Sequence, residues 1–166
     1  MAEIMIGGTP ANTTGNLPDV GSKAPGFTLT KTDLSDVSLP DLAGKRIVLN
    51  IFPSIDTPVC SASVRRFNQV AASLTNTQVL SVSADLPFAH KRFCETEGID
   101  GVIPVSELRT RGFGDAYGVR IAEGPLQGLL ARAVVVLDEE GTVLYSSFAK
   151  DLKEEPPYED ILAALA

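Results

Sequence analysis

The 166-residue sequence contains no tryptophan, a single histidine and only two cysteines. With no C-x-x-C pair and one histidine, a structural zinc site lacks ligands. No apolar run approaches the length of a membrane-crossing helix. The opening Met1-Ala2-Glu3-Ile4-Met5-Ile6-Gly7-Gly8 lacks the basic start and apolar core of a signal peptide. The chain is therefore expected in the cytoplasm, a reducing compartment in which two cysteines do not form a permanent structural bridge. Basic residues are in deficit, 14 Lys and Arg against 21 Asp and Glu, for a net charge of −7. That balance argues against nucleic acid and anionic membrane surfaces, which both require basic patches. For the cysteines there remain catalysis, redox chemistry or simple burial.

The rest of the composition is that of a globular protein, 44% apolar and 21% charged. One domain over residues 1–166 is expected, large enough for a hydrophobic core. Repeats, low-complexity tracts and long linkers are absent. Gly7-Gly8 marks a turn within an N-terminal hairpin over roughly residues 1–17. Buried strands are expected at Ile47–Phe52, Gln78–Ser83 and Ala133–Leu137, with short strands near Phe27–Leu29 and Val102–Val105. Ser38–Lys45 reads as a helical turn closed by glycine. Cys60, Val64, Phe67, Ala71 and Leu74 form one helix face. A second helix starts at Asp85-Leu86-Pro87, carries Phe93 and Cys94, and ends near Gly98. Residues 106–119 are mixed, and Gly112-Phe113-Gly114 reads as loop. Glu139–Thr142 turns into Val143–Ser147, making a late antiparallel hairpin, and Pro157–Leu165 is a terminal helix. Strands alternating with helices imply an α/β domain with a central mixed sheet and helices on both faces.

The most informative segment is Pro53-Ser54-Ile55-Asp56-Thr57-Pro58-Val59-Cys60. It joins a buried strand to a helix and places a cysteine in the first helical turn. Thr57 can serve as N-cap, with Pro58 at the first helical position. The unpaired N–H groups and dipole of a helix N-terminus favour the thiolate, which is the nucleophilic form. Arg132, opening a buried strand, is a candidate cation, because a buried guanidinium needs an anionic partner. Against a peroxide, a thiolate attacks one oxygen and the other leaves with negative charge. The Thr57 hydroxyl, the N–H groups near Val59 and Cys60, and Arg132 can follow that charge. Pro53 fixes the loop and shields it from bulk water. The product is a sulfenic acid, which a second thiol condenses to a disulfide.

Each residue also has a plainer reading. A free cysteine is more often buried and inert. Cys94 can be a core residue beside Phe93, Arg132 a surface strand-end charge, and Thr57 a simple cap. His90 lies four positions before Cys94 and so shares its helix face. With no orienting group evident, a solvated histidine is expected rather than a Cys–His nucleophile pair. Ile121–Leu130 is an apolar loop, suited either to lining a pocket or to a dimer contact.

Pro53, Thr57 and Cys60 match the P-x-x-x-T-x-x-C signature of peroxiredoxins. The chain resembles the bacterial thiol peroxidases, atypical 2-Cys peroxiredoxins of the thioredoxin-like superfamily. The resemblance runs through Val20–Pro25, Asn50–Thr57, Ser61–Asn68, Ser83–Ala89, Lys91–Cys94 and Ala131–Asp138. It implies a thioredoxin-like fold with an added N-terminal hairpin, and a peroxidase needing no metal, haem or flavin. It implies that Cys60 is the peroxidatic and Cys94 the resolving cysteine, joined as an intramolecular disulfide, with Pro53, Thr57 and Arg132 at the site. It further implies thioredoxin as reductant, a homodimer, and organic hydroperoxides preferred over hydrogen peroxide. A disulfide requires Cα atoms within about 7 Å, so the reduced form is expected to unwind locally before the two cysteines bond. The rival activities are a thiol–disulfide oxidoreductase, whose second thiol would be missing at Ser63, a redox-switch protein, and a cysteine hydrolase using His90.

Overall fold

In the computed structural model, which describes residues 1–166, a central sheet runs β4-β3-β7-β6-β5-β8-β9. Its strands are β3 (Thr28–Lys31), β4 (Asp36–Ser38), β5 (Arg46–Ile51), β6 (Thr77–Ser83), β7 (Ile103–Ser106), β8 (Ala133–Leu137) and β9 (Val143–Phe148). β5–β6 and β6–β7 pair in parallel and every other pair is antiparallel. The sheet is thus mixed, as expected. A separate hairpin, β1 (Glu3–Ile6) with β2 (Thr9–Asn12), turns through Gly7 and Gly8, both at positive φ. The short edge strand β4 carries too few residues for its alternation to stand out in sequence.

Strand alternation divides the core into two layers. Ile47, Leu49 and Ile51 of β5 join Leu80, Val82, Val135 and Leu137 under Phe113 and Tyr117. Val48 and Phe52 face the other way, with Val79, Val134 and Val136. The helices are α1 (Pro58–Ala71), α2 (Pro87–Glu97), α3 (Gly112–Ala116) and α4 (Tyr158–Ala164). Cys60, Val64 and Phe67 of α1, Ala89 and Phe93 of α2, and Ile161 of α4 cover the second layer, whereas α3 covers the first. Gly112-Phe113-Gly114, expected as loop, is the start of α3, because Phe113 buries itself against Phe27 and stacks on Tyr117. No helix is long and apolar enough to cross a membrane.

The topology places the chemistry. β5 and β6 are parallel neighbours, so the segments leaving them, Phe52–Thr57 and Ala84–Leu86, emerge side by side. Phe52 N–H donates to the Val82 carbonyl at 3.1 Å. β8 runs antiparallel to β5 with Ala133 opposite Ile51, so Arg132 meets the same end of the sheet. Ala133 is also opposite Phe148, which brings the segment after β9 there. The hairpin is tied to that segment by Asp151, whose carboxylate accepts from Gly7 N–H at 3.0 Å and Gly8 N–H at 2.8 Å. The Leu152 N–H donates to the Met5 carbonyl at 2.9 Å.

His90 departs from the solvated position expected of it. It is 1% exposed, edge-on to Phe52, and bonded through Nε2 to Ser83 Oγ at 2.9 Å. The Ser83 hydroxyl in turn donates to Asp85. The relay is consistent with an Nε2–H donating to Ser83 while the serine proton goes to the carboxylate. Spacing on the helix gave no sign of it, because the partner lies on β6.

Two predictions follow from this architecture. Gly118 has φ +67°, and a Cβ there would lie 2.2 Å from the Asn16 carbonyl oxygen. Gly118→Ala should therefore cost roughly 2–4 kcal/mol of stability, measured by denaturant unfolding. Burial pushes the His90 imidazolium down to about 4 from its ordinary 6.5, although Asp85 and Asp56 pull the other way. Between those values the unfolded chain holds a proton that the folded chain does not. Stability contributed by neutral His90 is therefore present above about pH 6.5 and lost as pH falls toward about 4, on the order of 3 kcal/mol in all. Denaturation midpoints across that window should show this slope, and His90→Gln should flatten it.

Candidate active site

Cys60 is the third residue of α1 and is fully buried. The first intrahelical bond of α1 runs from Ser61 N–H to the Thr57 carbonyl at 3.0 Å, so the N–H groups of Val59 and Cys60 lie ahead of it, free for another acceptor. Two serines hold this turn. Ser61 Oγ donates to the Ile55 carbonyl at 2.7 Å, and Ser63 Oγ to the Cys60 carbonyl at 2.7 Å. Ser63 accepts in turn from Asn50 Nδ2 at 3.1 Å, a buried bond that ties this turn to the C-terminal end of β5.

The guanidinium expected to need an anion is 3% exposed. Arg132 Nη2 lies 3.2 Å from Cys60 Sγ, and Nε donates to the Leu152 carbonyl at 2.9 Å. No carboxylate pairs with it. The buried Nη1 has no partner within the chain. Leu152 is therefore a connector: its N–H binds the N-terminal hairpin and its carbonyl orients the arginine.

Arg132 also forms part of the wall of an apolar cleft of about 230 Å³. Pro53, Thr57 and Val59 line one side and Leu126, Leu129 and Leu152 another, with Ile6 and Lys153 at the hairpin. The loop Ile121–Leu130 thus contributes two leucines to this cleft. A larger cleft of about 320 Å³ lies at the opposite end of the sheet, around Lys23, Leu39, Ile47 and Glu139, and contains no nucleophile. The smaller cleft is the one walled by the buried arginine that contacts Cys60 Sγ.

Thr57 occupies the N-cap position but makes no side-chain cap bond. Its hydroxyl donates to the Ser54 carbonyl at 2.9 Å. The hydroxyl proton, expected from sequence to be available as a donor, is thus engaged within the loop. Pro53 is buried against the loop.

Cys94 is not part of this cluster. It lies on α2, partly buried, and its carbonyl accepts the N–H of Gly98, which closes the helix at φ +67°. Burial pushes its thiol up to about 11 from an ordinary 9.0, so it remains protonated near neutral pH. Both cysteines are free. Pro53, Thr57, Cys60 and Arg132 are thus brought together, and Cys94 stands apart from them. His90 bonds to neither cysteine, which removes the pair a cysteine hydrolase would use.

Sequence reasoning missed Asn50, Ser63, Ser83, Asp85 and Leu152. A polar residue inside the apolar run Ile47–Phe52 was a signal for Asn50. Leu152 acts through its backbone, which no side-chain pattern announces.

The family model described as Redoxin matches residues 19–162. A thiol peroxidase of Mycobacterium tuberculosis is 53% identical over 165 residues, covering 99% of each chain. A peroxiredoxin-like protein from Aquifex aeolicus superposes with TM-score 0.94 at 36% identity, over 99% of this chain and 96% of that one. A thiol peroxidase from Chromobacterium violaceum shares the fold at TM-score 0.91 and 22% identity, over 99% and 96% of the two chains. The fold is accordingly that of the thioredoxin-like peroxiredoxins, and the sequence relationship makes this protein a peroxidase. With a buried cysteine thiol held against an arginine at a helix N-terminus, the chain belongs to the redoxin family.

Proposed function

We propose that Cys60 is the peroxide-reducing residue and Cys94 the resolving one, in an atypical 2-Cys cycle closed by thioredoxin. The observation that carries this reading is the buried Arg132 guanidinium 3.2 Å from Cys60 Sγ, with no carboxylate as its partner. A sulfur in that position is supplied with positive charge from Arg132 and with N–H donors from the start of α1.

The Cys60 thiolate attacks the terminal oxygen of R–O–O–H. An S–O bond forms, the O–O bond breaks, and RO⁻ leaves and takes up a proton. Arg132 and the N–H groups of Val59 and Cys60 stabilise the departing charge, while Thr57 Oγ1 accepts the hydroperoxide O–H and orients it. Pro53 keeps water from the loop. The sulfenic acid on Cys60 then reacts with the Cys94 thiol, forming the S–S bond and releasing water. Thioredoxin, by thiol–disulfide exchange, returns both thiols and is itself oxidised. The leucine-lined cleft favours organic hydroperoxides over hydrogen peroxide, because an alkyl group buries apolar surface there. The cycle operates in the cytoplasm, in a homodimer, as antioxidant defence. A thiol–disulfide oxidoreductase is disfavoured, since Ser63 stands where a second thiol would be and is committed to the Cys60 carbonyl.

Cys60→Ser should abolish turnover. Cys94→Ser should permit one rapid oxidation, block recycling by thioredoxin, and accumulate sulfinic acid on Cys60. Arg132→Ala should slow the peroxide step roughly 10²-fold or more, as expected for loss of a charged donor to the transition state. Thioredoxin-coupled peroxidase assays with cumene hydroperoxide measure all three. Normal coupled turnover in Cys94→Ser would remove its assigned role. Leu129→Ser should raise KM for cumene hydroperoxide and leave that for hydrogen peroxide nearly unchanged, in initial-rate comparisons of the two substrates.

A further inference from the structure

We infer that Asp85 is a positioning residue that holds the reduced site closed, and that it sets the balance between the peroxide step and the disulfide step. The inference rests on the reading of Cys94 as the resolving cysteine.

The two segments that carry the cysteines, Phe52–Cys60 and Ala84–Cys94, leave adjacent parallel strands. Asp85 joins them. Its Oδ1 accepts from Ser54 Oγ at 2.8 Å, and its Oδ2 accepts from Ile55 N–H at 2.7 Å and from Ser83 Oγ at 2.5 Å. Two of these three donors belong to the loop between β5 and Cys60. Ser54 carries the carbonyl that Thr57 Oγ1 bonds, and Ile55 carries the carbonyl that Ser61 bonds. One carboxylate thus fixes both residues on which the first turn of α1 rests. Ile55 and Ser83 are buried, so water competes poorly for these contacts. Hydrogen bonds to a charged acceptor are the stronger kind.

The other tie between the loop and α2 is of a different quality. Arg92 meets Asp56 at 2.6 Å, but both side chains are more than half exposed. Such a pair contributes little. The sheltered tie is Asp85. It faces Ser83, which is bonded on its other side to buried His90, so the carboxylate is anchored to the sheet and helix rather than moving with the loop.

Peroxide reduction needs Thr57, the first α1 N–H groups and Arg132 held around Cys60. Disulfide formation needs the opposite, because Cys60 is packed in the core and Cys94 lies on another helix. On this inference the loop leaves Asp85 before the sulfurs meet. The same bonds therefore speed the first step and slow the second.

The test is quenched-flow oxidation of the reduced protein with cumene hydroperoxide, read by thiol alkylation and mass spectrometry. Sulfenic acid formation depends on peroxide concentration, and disulfide formation does not, so the two steps separate. In Asp85→Ala, which removes both charge-assisted bonds to the loop, the peroxide step should slow about tenfold or more and the disulfide step quicken about tenfold or more. At high peroxide the fraction of Cys60 trapped as sulfinic acid should fall. Asp85→Asn, which keeps the shape and one acceptor oxygen, should lie between. Opposite changes in the two rates support the positioning role. Equal slowing of both, or no change in Asp85→Ala while the parent protein shows two normal steps, overturns this inference alone. A parent protein that forms no Cys60–Cys94 bridge overturns the reading of Cys94 and this inference with it.

Discussion

Burial of Arg132 is the constraint on which the site depends. Removing a guanidinium from water costs several kcal/mol unless something nearby carries compensating charge. Around Arg132 the chain supplies a backbone carbonyl and a sulfur, and no carboxylate. The sulfur is the one atom within bonding distance able to take a full negative charge. A Lys at this position would offer a compact point charge and could not reach the Leu152 carbonyl and Cys60 Sγ with one rigid planar group. The other buried arginine shows the contrast. Arg120 has a carboxylate partner in Glu107 at 2.7 Å and a second in Asp115 at 3.0 Å, and its work is to fasten the loop that supplies the cleft's leucines.

Everything else serves to bring that charge to the right thiol. Pairing β8 antiparallel to β5 delivers Arg132 to the end of the sheet where β5 releases the Cys60 loop. Pairing β9 to β8 delivers Leu152 to orient the guanidinium, and Asp151 fastens the N-terminal hairpin across the same corner. Backbone N–H groups of Lys153, Gly8 and Gly7 hold the Asp151 carboxyl below the usual carboxylate range, the expected result of a carboxylate that accepts several of them. The hairpin is in this way part of the cleft. Parallel pairing of β5 with β6 places the segment that leads into the second cysteine's helix beside the Cys60 loop, near enough for a tie through Asp85.

Much of this was legible in the chain. The apolar runs of β5, β6 and β8, the late hairpin and the two cysteine-bearing helices all followed from periodicity and turn residues. Pro53, Thr57, Cys60 and Arg132 were expected together from thiolate chemistry combined with the resemblance to peroxiredoxins, since each residue alone had a plainer reading. The misreadings have a common cause. His90 was judged from its helix neighbours, but its partner lies on β6. Asp85 has no local pattern, because its loop donors lie some 30 positions earlier and become neighbours only through strand pairing. Contacts within one element are written in sequence spacing, and contacts made by sheet register are not.

The measurement that tests the account most directly is a single turnover. The fully reduced protein is mixed with one equivalent of cumene hydroperoxide, quenched within seconds, and its peptides are mapped by mass spectrometry. The account predicts a loss of two hydrogens, localised to a bridge between Cys60 and Cys94. Unmodified cysteines, or oxidation confined to Cys94 with Cys60 intact, would contradict it.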